Sequence, residues 1–194
     1  ASDNTNMMNC TMDLIEYASE GSFCVPNRIM LTSVKELAEQ PIVFDVNLED
    51  NSIKMNYMNG SYRIFGQSAN EYPRMKGLEG EATSTVLPSE VLINNINRTL
   101  FATAQDELRM VMNGLYFDLK EDYMAIVASD GHKLVRNRIY GCKTETPASF
   151  ILPKKPATLL RTVLAADGSD VTIRFNQSNA EVIYNDGMLS CRLI

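Results

Sequence analysis

Apolar residues recur at helical spacing in three places, each introduced by a proline. After Pro26 they are Ile29, Met30, Val34 and Leu37; after Pro88, Val91, Leu92, Ile96 and Leu100; after Pro153, Leu159, Leu160, Val163 and Leu164. Positions three and four apart share a helix face, so each set predicts an amphipathic helix. Proline suits the first helical position, because its φ is already set and its missing N–H would go unpaired there. Elsewhere the period shortens to two. Residues 43–48, 52–58 and 61–65 predict a strand meander, with Asn59-Gly60 as a two-residue hairpin turn. Residues 115–119, 124–128 and 134–140 predict strands after the second helix. Residues 171–175, 180–184 and 188–193 do so after the third, with Asp186-Gly187 at the equivalent turn. The recurring order is β-α-β-β-β, and helices on one face of antiparallel sheets make an α+β fold.

The pattern is also duplicated. A constant shift of 127 residues carries Ser22-Phe23-x-x-Pro26 onto Ser149-Phe150-x-x-Pro153 and Leu37-Ala38 onto Leu164-Ala165. The same shift carries Tyr57 onto Tyr184, Asn59-Gly60 onto Asp186-Gly187, and Ala1-Ser2-Asp3 onto Ala128-Ser129-Asp130. One gapless register over so long a stretch points to a duplicated domain. A shorter repeat lies inside it, with Val86-Leu87-Pro88 resembling Ile151-Leu152-Pro153, 65 residues on. The breakers Asn70, Pro73, Gly77 and Gly80 mark a boundary in residues 68–80. Upstream the repeat is incomplete and the chain starts as if mid-strand, so a fragment is expected. Downstream, two β-α-β-β-β units follow.

Composition changes this picture little. Of 194 residues 45% are hydrophobic and 22% charged, which is ordinary for a folded chain. No apolar run approaches the ~20 residues of a membrane-spanning helix, and no signal-peptide pattern opens the sequence. Cys10, Cys24, Cys142 and Cys191 form no CxxC pair, so they read as reduced thiols of a cytoplasmic protein. The net charge of −6 excludes a uniformly basic nucleic-acid binder but not one with its cations on a single face.

Three segments carry a family resemblance. Met112-Asn113-Gly114-Leu115-Tyr116-Phe117, then Val127-Ala128-Ser129-Asp130-Gly131-His132-Lys133-Leu134, then Phe150-Ile151-Leu152-Pro153-Lys154-Lys155 resemble the middle domain of the bacterial DNA polymerase III β subunit, the DNA sliding clamp. Ser129 and Lys133 stand where that family more often has Thr and Arg. The resemblance implies a clamp fold with helices inside and antiparallel sheets outside. It implies residues 1–76 as part of a first domain, 77–194 as the middle domain, and no third domain in this chain. It further implies a processivity factor without catalytic chemistry or cofactor. The whole protein would be a homodimeric ring around duplex DNA, recruiting polymerase, clamp loader and repair proteins through short linear motifs. A fragment of this extent is not expected to close that ring.

Candidate site residues follow. The helix after Pro153 carries Lys154, Lys155 and Arg161 with no acid before Asp167. Arg98 joins Asn94, Asn95 and Asn97 in a polar stripe after Pro88, and Arg28 and Lys35 lie in the helix after Pro26. Without the resemblance these are equally an ordinary solvated face; with it, Arg28, Lys35, Asn95, Arg98, Lys154, Lys155 and Arg161 are expected to face DNA. Backbone-only contacts would give weak, salt-sensitive binding, leaving residence on DNA to enclosure. The family's paired aromatics before the Asn-Gly segment are here Met110 and Val111, so that contact is not transferred. For the partner pocket the resemblance implies Met112, Ser129, Gly131, His132, Lys133 and Leu134. Met112 and Leu134 would supply apolar wall, Gly131 close backbone approach, and His132 and Lys133 a polar rim. From the residues alone, Asp130-Gly131 is simply a tight turn and His132 a turn residue.

The rival readings are weaker. His132 is the single histidine and there is no GxSxG, P-loop or GxGxxG. Asp118, Glu121 and Asp122 could serve a metal-dependent hydrolase, but they fall at a hairpin where acids are commonly just solvated. A β-rich scaffold or adhesion module without a DNA role is the main alternative, and it has no need to segregate basic residues on its helices.

Overall fold

The computed structural model describes residues 1–73, 75, 77–106, 108–142, 144 and 146–194. In chain order the elements are β1 (Asn6–Cys10), β2 (Phe23–Cys24), α1 (Asn27–Lys35), β3 (Val43–Asn47), β4 (Ser52–Tyr57), β5 (Gly60–Phe65) and β6 (Gln67–Ser68). They continue with β7 (Thr83–Pro88), α2 (Ser89–Thr99), β8 (Gly114–Leu119), β9 (Tyr123–Ser129), β10 (Leu134–Tyr140), β11 (Ala148–Pro153), α3 (Lys154–Val163), β12 (Asp170–Phe175), β13 (Asn179–Tyr184) and β14 (Gly187–Arg192). The architecture is α+β, with antiparallel sheets throughout.

The chain divides into two units. One holds residues 13–73, the other residues 1–12 together with 74–194. A break was expected within 68–80; the second break, at 12/13, was not. Its cause is β1, which pairs with β14 and so joins the later unit rather than residues 13–73.

In the larger unit the two β-α-β-β-β halves exchange their first strands. β7 leaves its own meander to pair with β12, giving the sheet β1-β14-β13-β12-β7, while β11 pairs with β8 in the sheet β10-β9-β8-β11. Strand alternation sets the faces. Leu115, Phe117 and Leu119 of β8 point inward, as do Val171, Ile173 and Phe175 of β12. Phe150 links the two sheets: its ring stacks on Phe117 at 4.7 Å and meets Phe175 at 4.3 Å. Leu92, Ile96 and Leu100 from α2 and its following turn, with Ala157, Leu160 and Leu164 from α3, seal the same core. The two helices touch each other.

All three prolines precede their helices by one position. Pro26, Pro88 and Pro153 are N-caps with extended backbone rather than first helical residues, φ being −64°, −61° and −60°. In the smaller unit α1 forms as the periodicity predicts, yet none of its residues is buried, and Ile53 and Met55 of β4 are the buried hydrophobic residues there. The hairpin turns are also shifted by one residue. Tyr57 pairs with Gly60 and Tyr184 with Gly187, so the turns are Met58-Asn59 and Asn185-Asp186. Both glycines begin strands because a tyrosine ring lies over them. A Cβ on Gly60 would fall 2.9 Å from the Tyr57 hydroxyl, and one on Gly187 2.4 Å from the Tyr184 ring. That explains why Tyr and Gly recur together in the repeat.

Phe117→Ala is expected to lower unfolding free energy by about 3–5 kcal/mol, whereas Tyr116→Ala, one residue away on the opposite face, should cost under about 1 kcal/mol. Urea titration of both variants checks this, and similar losses would contradict the strand orientation.

Candidate partner and nucleic-acid surfaces

The turn from β9 to β10 is held by its own side chains. Ser129 Oγ donates to the Lys133 carbonyl at 2.9 Å and accepts from Gly131 N at 3.1 Å. Asp130 Oδ1 accepts from His132 N at 3.0 Å and Lys133 N at 2.9 Å, and its other oxygen pairs with the Lys133 ammonium. That ammonium, and then the two backbone donors, hold the Asp130 carboxyl well below the usual carboxylate range. Gly131 sits at φ +88°, where an L side chain is strained. His132 and Leu134 are left exposed, Leu134 by 68%.

The repeat reproduces this turn near the N-terminus. Asp3 Oδ1 accepts from Thr5 N at 3.1 Å and Asn6 N at 2.7 Å, and Asn4 takes the positive φ, +72°, in the place of Gly131. Asp3 differs in its cation, which is Lys155 at the second position of α3. Lys155 lowers the Asp3 carboxyl far below its ordinary range.

Met112 lies on a separate loop. Two short 3-10 turns, Leu100–Ala102 and Met110–Met112, lie in the connection from α2 to β8. Asn113 ties the loop closed, accepting from Asp106 N at 2.9 Å and donating to the Asp106 carbonyl at 2.8 Å. Arg109 is held by Asp106, Nε to Oδ2 at 2.7 Å, and extends over the neighbouring turn, where a Cβ on Gly131 would fall 2.9 Å from Nη1. The guanidinium thereby joins the Met112 loop to the Ser129–Leu134 turn. The six candidate pocket residues thus comprise one turn plus Met112, which lies on the loop from which Arg109 reaches that turn. The sequence reading omitted Arg109 and its anchors Asp106 and Asn113. The one available signal was the shorter repeat, whose second copy connects α3 to β12 with far fewer residues.

The basic residues separate into three groups. Arg98 and Arg161 are exposed and Lys154 half-buried, and among the described residues none forms an ion pair. Lys155 is engaged with Asp3 and is not a free cation. Arg28 and Lys35 are exposed on α1, in the smaller unit. Asn95 does not fit the expected DNA-facing set. It is buried beside Leu92, Ile96 and Thr99, and its amide donates to the Val91 carbonyl at 2.8 Å. A back-bond of this kind lets a polar side chain lie on the packed side of a helix.

Asp118, Glu121 and Asp122 lie at the β8–β9 hairpin, with Asp118 paired to Lys120 at 3.0 Å. Among the described residues no three His, Cys, Asp or Glu side chains gather as a metal site. All four cysteines are free thiols, and burial pushes the Cys191 thiol up to about 12. No helix of the described residues is long and apolar enough to cross a membrane.

Against known proteins, residues 86–194 match the family model described as DNA polymerase III beta subunit, central domain. The beta sliding clamp of Synechococcus elongatus is 26% identical over 171 residues, 86% of this chain and 44% of that protein. The beta sliding clamp of Halalkalibacterium halodurans is 26% identical over 170 residues, 84% of this chain and 44% of that protein. Among solved structures, the DNA polymerase III beta subunit of Thermotoga maritima superposes with a TM-score of 0.88 at 23% identity, over 100% of this chain and 52% of its own. A Pseudomonas aeruginosa sliding clamp bound to griselimycin gives 0.88 at 21%, over 98% and 51%. The fold is that of these clamps, and the chain spans about half the length of the relatives it matches.

Asp130, Asp3 and Asp106 all have carboxyls depressed first by a paired cation. Their ionised forms therefore stabilise the fold above the unfolded-state pKa of about 4, and the contribution is lost as pH falls below it. The gap in urea midpoint between wild type and Asp130→Asn should be widest at neutral pH and close as the medium is acidified. A gap that widens in acid would reverse the sign argued here.

Proposed function

This chain belongs to the DNA polymerase III beta subunit family, and from that premise we propose that it is part of a processivity clamp. The whole protein would encircle duplex DNA as a homodimeric ring and hold replicative polymerase, clamp loader and repair proteins through short linear motifs. In this reading residues 1–76 supply the latter part of a first domain and residues 77–194 a middle domain. β1 is then a first-domain strand that completes the middle domain's sheet. The role is non-catalytic and cytoplasmic, with no cofactor.

The observation that carries the DNA role is the set Lys154, Arg161 and Arg98. These cations sit on two touching helices without carboxylate partners among the described residues, in a chain of net charge −6. Unpaired cations attract phosphates without reading bases, as sliding requires. Arg28 and Lys35 on α1 are further candidates within the smaller unit, whereas Lys155 contributes only if Asp3 releases it. Asn95 is withdrawn from the set.

The partner pocket would be built on Met112, Ser129, Gly131, His132, Lys133 and Leu134, with Arg109 as a further member. The hydrogen-bonded turn fixes its shape before any peptide arrives, which lowers the ordering cost of binding. Leu134 and Met112 offer apolar contact, and Arg109, His132 and Lys133 suit a motif carrying a carboxylate.

Replacing Lys154, Arg161 and Arg98 by Gln one at a time should weaken duplex binding uniformly across sequences. Each loss should flatten the logarithmic salt dependence by about 0.9, read by fluorescence anisotropy; slopes unchanged in all three would remove the DNA role from these helices. For the pocket, Leu134→Asp should abolish binding of a polymerase-derived motif peptide in calorimetry. Binding by Leu134→Asp equal to that of the wild type would contradict the groove's placement.

A further inference from the structure

Leading away from the proposed pocket, one face of β10 carries a row of side chains that the pocket does not use. Successive residues of a strand point to opposite faces. On β10 Val135 and Ile139 turn toward the core, while Leu134, Arg136, Arg138 and Tyr140 stand exposed on the other face. Leu134, which the pocket takes as apolar wall, is thus the first member of the row. Each following member lies about 7 Å further along the strand.

Tyrosines, not carboxylates, set the two guanidiniums in place. Arg138 lies over the ring of Tyr123, 5.3 Å from its centre, and Arg136 Nη2 donates to the Tyr123 hydroxyl at 3.3 Å. Both lean across β9, where the short side chain of Ala125 stands opposite Arg138. Tyr140 closes the far end, its ring centre 6.2 Å from that of Tyr123. Among the described residues neither arginine forms an ion pair. Asp118 is engaged by Lys120, and Glu121 and Asp122 occupy the β8–β9 turn beyond Tyr123. Nor does the fold require this arrangement. Counted back 127 residues, Arg136 and Arg138 correspond to the uncharged Asn9 and Thr11.

Resting on the pocket reading, we propose that this row is a second contact for the same partner peptide. An acidic stretch beside the peptide's apolar anchor lies along β10, with its carboxylates on Arg136 and Arg138. A guanidinium presents paired N–H donors that match a carboxylate. Because Tyr123 places both guanidiniums before a peptide arrives, the cost of ordering them is lower. The acidic stretch is short, since Glu121 and Asp122 repel a longer one. The row stands on the face of the sheet and not along its rim, so a strand paired to the rim of β10 leaves it open. A peptide suits the row better than a nucleic acid does, because the row begins at an apolar side chain and ends toward two acids. Exposed pairs of this kind are weak singly and are screened by salt. Their effect is therefore to select among motifs that the pocket alone accepts equally.

Calorimetry on the full chain compares a polymerase-derived motif peptide with versions extended, at one end or the other, by Glu-Gly-Glu or by Gln-Gly-Gln. At one of the two ends the acidic extension should bind about tenfold tighter than the amide one at low salt, and the gain should shrink as salt is raised. Arg136→Gln and Arg138→Gln should each remove about threefold of that gain and leave binding of the amide-extended peptide unchanged, which a merely structural role would not do. Thermal melts by circular dichroism confirm that each variant is folded. If the unextended peptide binds and Leu134→Asp weakens it, yet acidic and amide extensions bind alike, the row carries no contact and the pocket stands. An acidic gain that survives both arginine substitutions also overturns the proposal. If the unextended peptide does not bind, the pocket reading fails and takes this proposal with it. An oligo(dT) strand that displaces the acidic peptide and loses its own binding in Arg136→Gln would give the row to nucleic acid and overturn the peptide.

Discussion

The exchange of β7 and β11 between the halves of the larger unit is the constraint from which the rest follows. Neither half finishes its sheet without the other's first strand. The exchange brings Phe150 of β11 onto Phe117 of β8 in one direction and against Phe175 of β12 in the other, so a single aromatic contact spans both sheets. It also sets the helices. Each starts directly from an exchanged strand at a capping proline, which forces α2 and α3 to lie beside each other over one shared core. That topology puts Arg98 on one helix and Lys154 and Arg161 on the helix that touches it.

Two equivalent halves would give two equivalent surfaces, and the added chain between α2 and β8 breaks the equivalence. The loop is not loose. Asn113 makes two hydrogen bonds to Asp106 and accepts a third from Lys154 N, at the start of α3, at 3.0 Å. The anchoring aims Arg109 at the Gly131 turn, and the absence of a side chain at Gly131 leaves the guanidinium its place. The asymmetry falls on the same loop and turn as the proposed pocket.

Periodicity revealed the helices and strands because a residue's face depends only on its near neighbours. It could not reveal which strand pairs with which, since the alternation of β7 fits either sheet equally. Asn95 was misread for a related reason: residue type said polar, while its back-bond to Val91 satisfies the amide locally and lets it pack. The hairpin turns shifted because Tyr57 and Tyr184 reach across to Gly60 and Gly187, a contact no turn rule contains. Arg109 stayed hidden because its role spans the space between two loops. The long repeat, by contrast, was legible down to a hydrogen-bonding detail. Asp3 and Asp130 make the same pair of backbone contacts although the residues after them differ.

Net charge says little about the local field, for the same structural reason. Several of the acids that make the chain negative serve as internal anchors. Asp130 and Asp3 organise their turns, Asp106 holds Arg109, and Asp167 accepts from Ser89 Oγ at 3.3 Å and Ser169 N at 3.0 Å. A carboxylate whose lone pairs are engaged by backbone N–H groups and a paired cation projects little field. Arg98, Arg161 and Lys154 carry no such neutralising partner. The potential that an approaching polyanion meets is therefore set by which charges are spent inside the fold. A formal charge of −6 is compatible with a locally attractive helix pair.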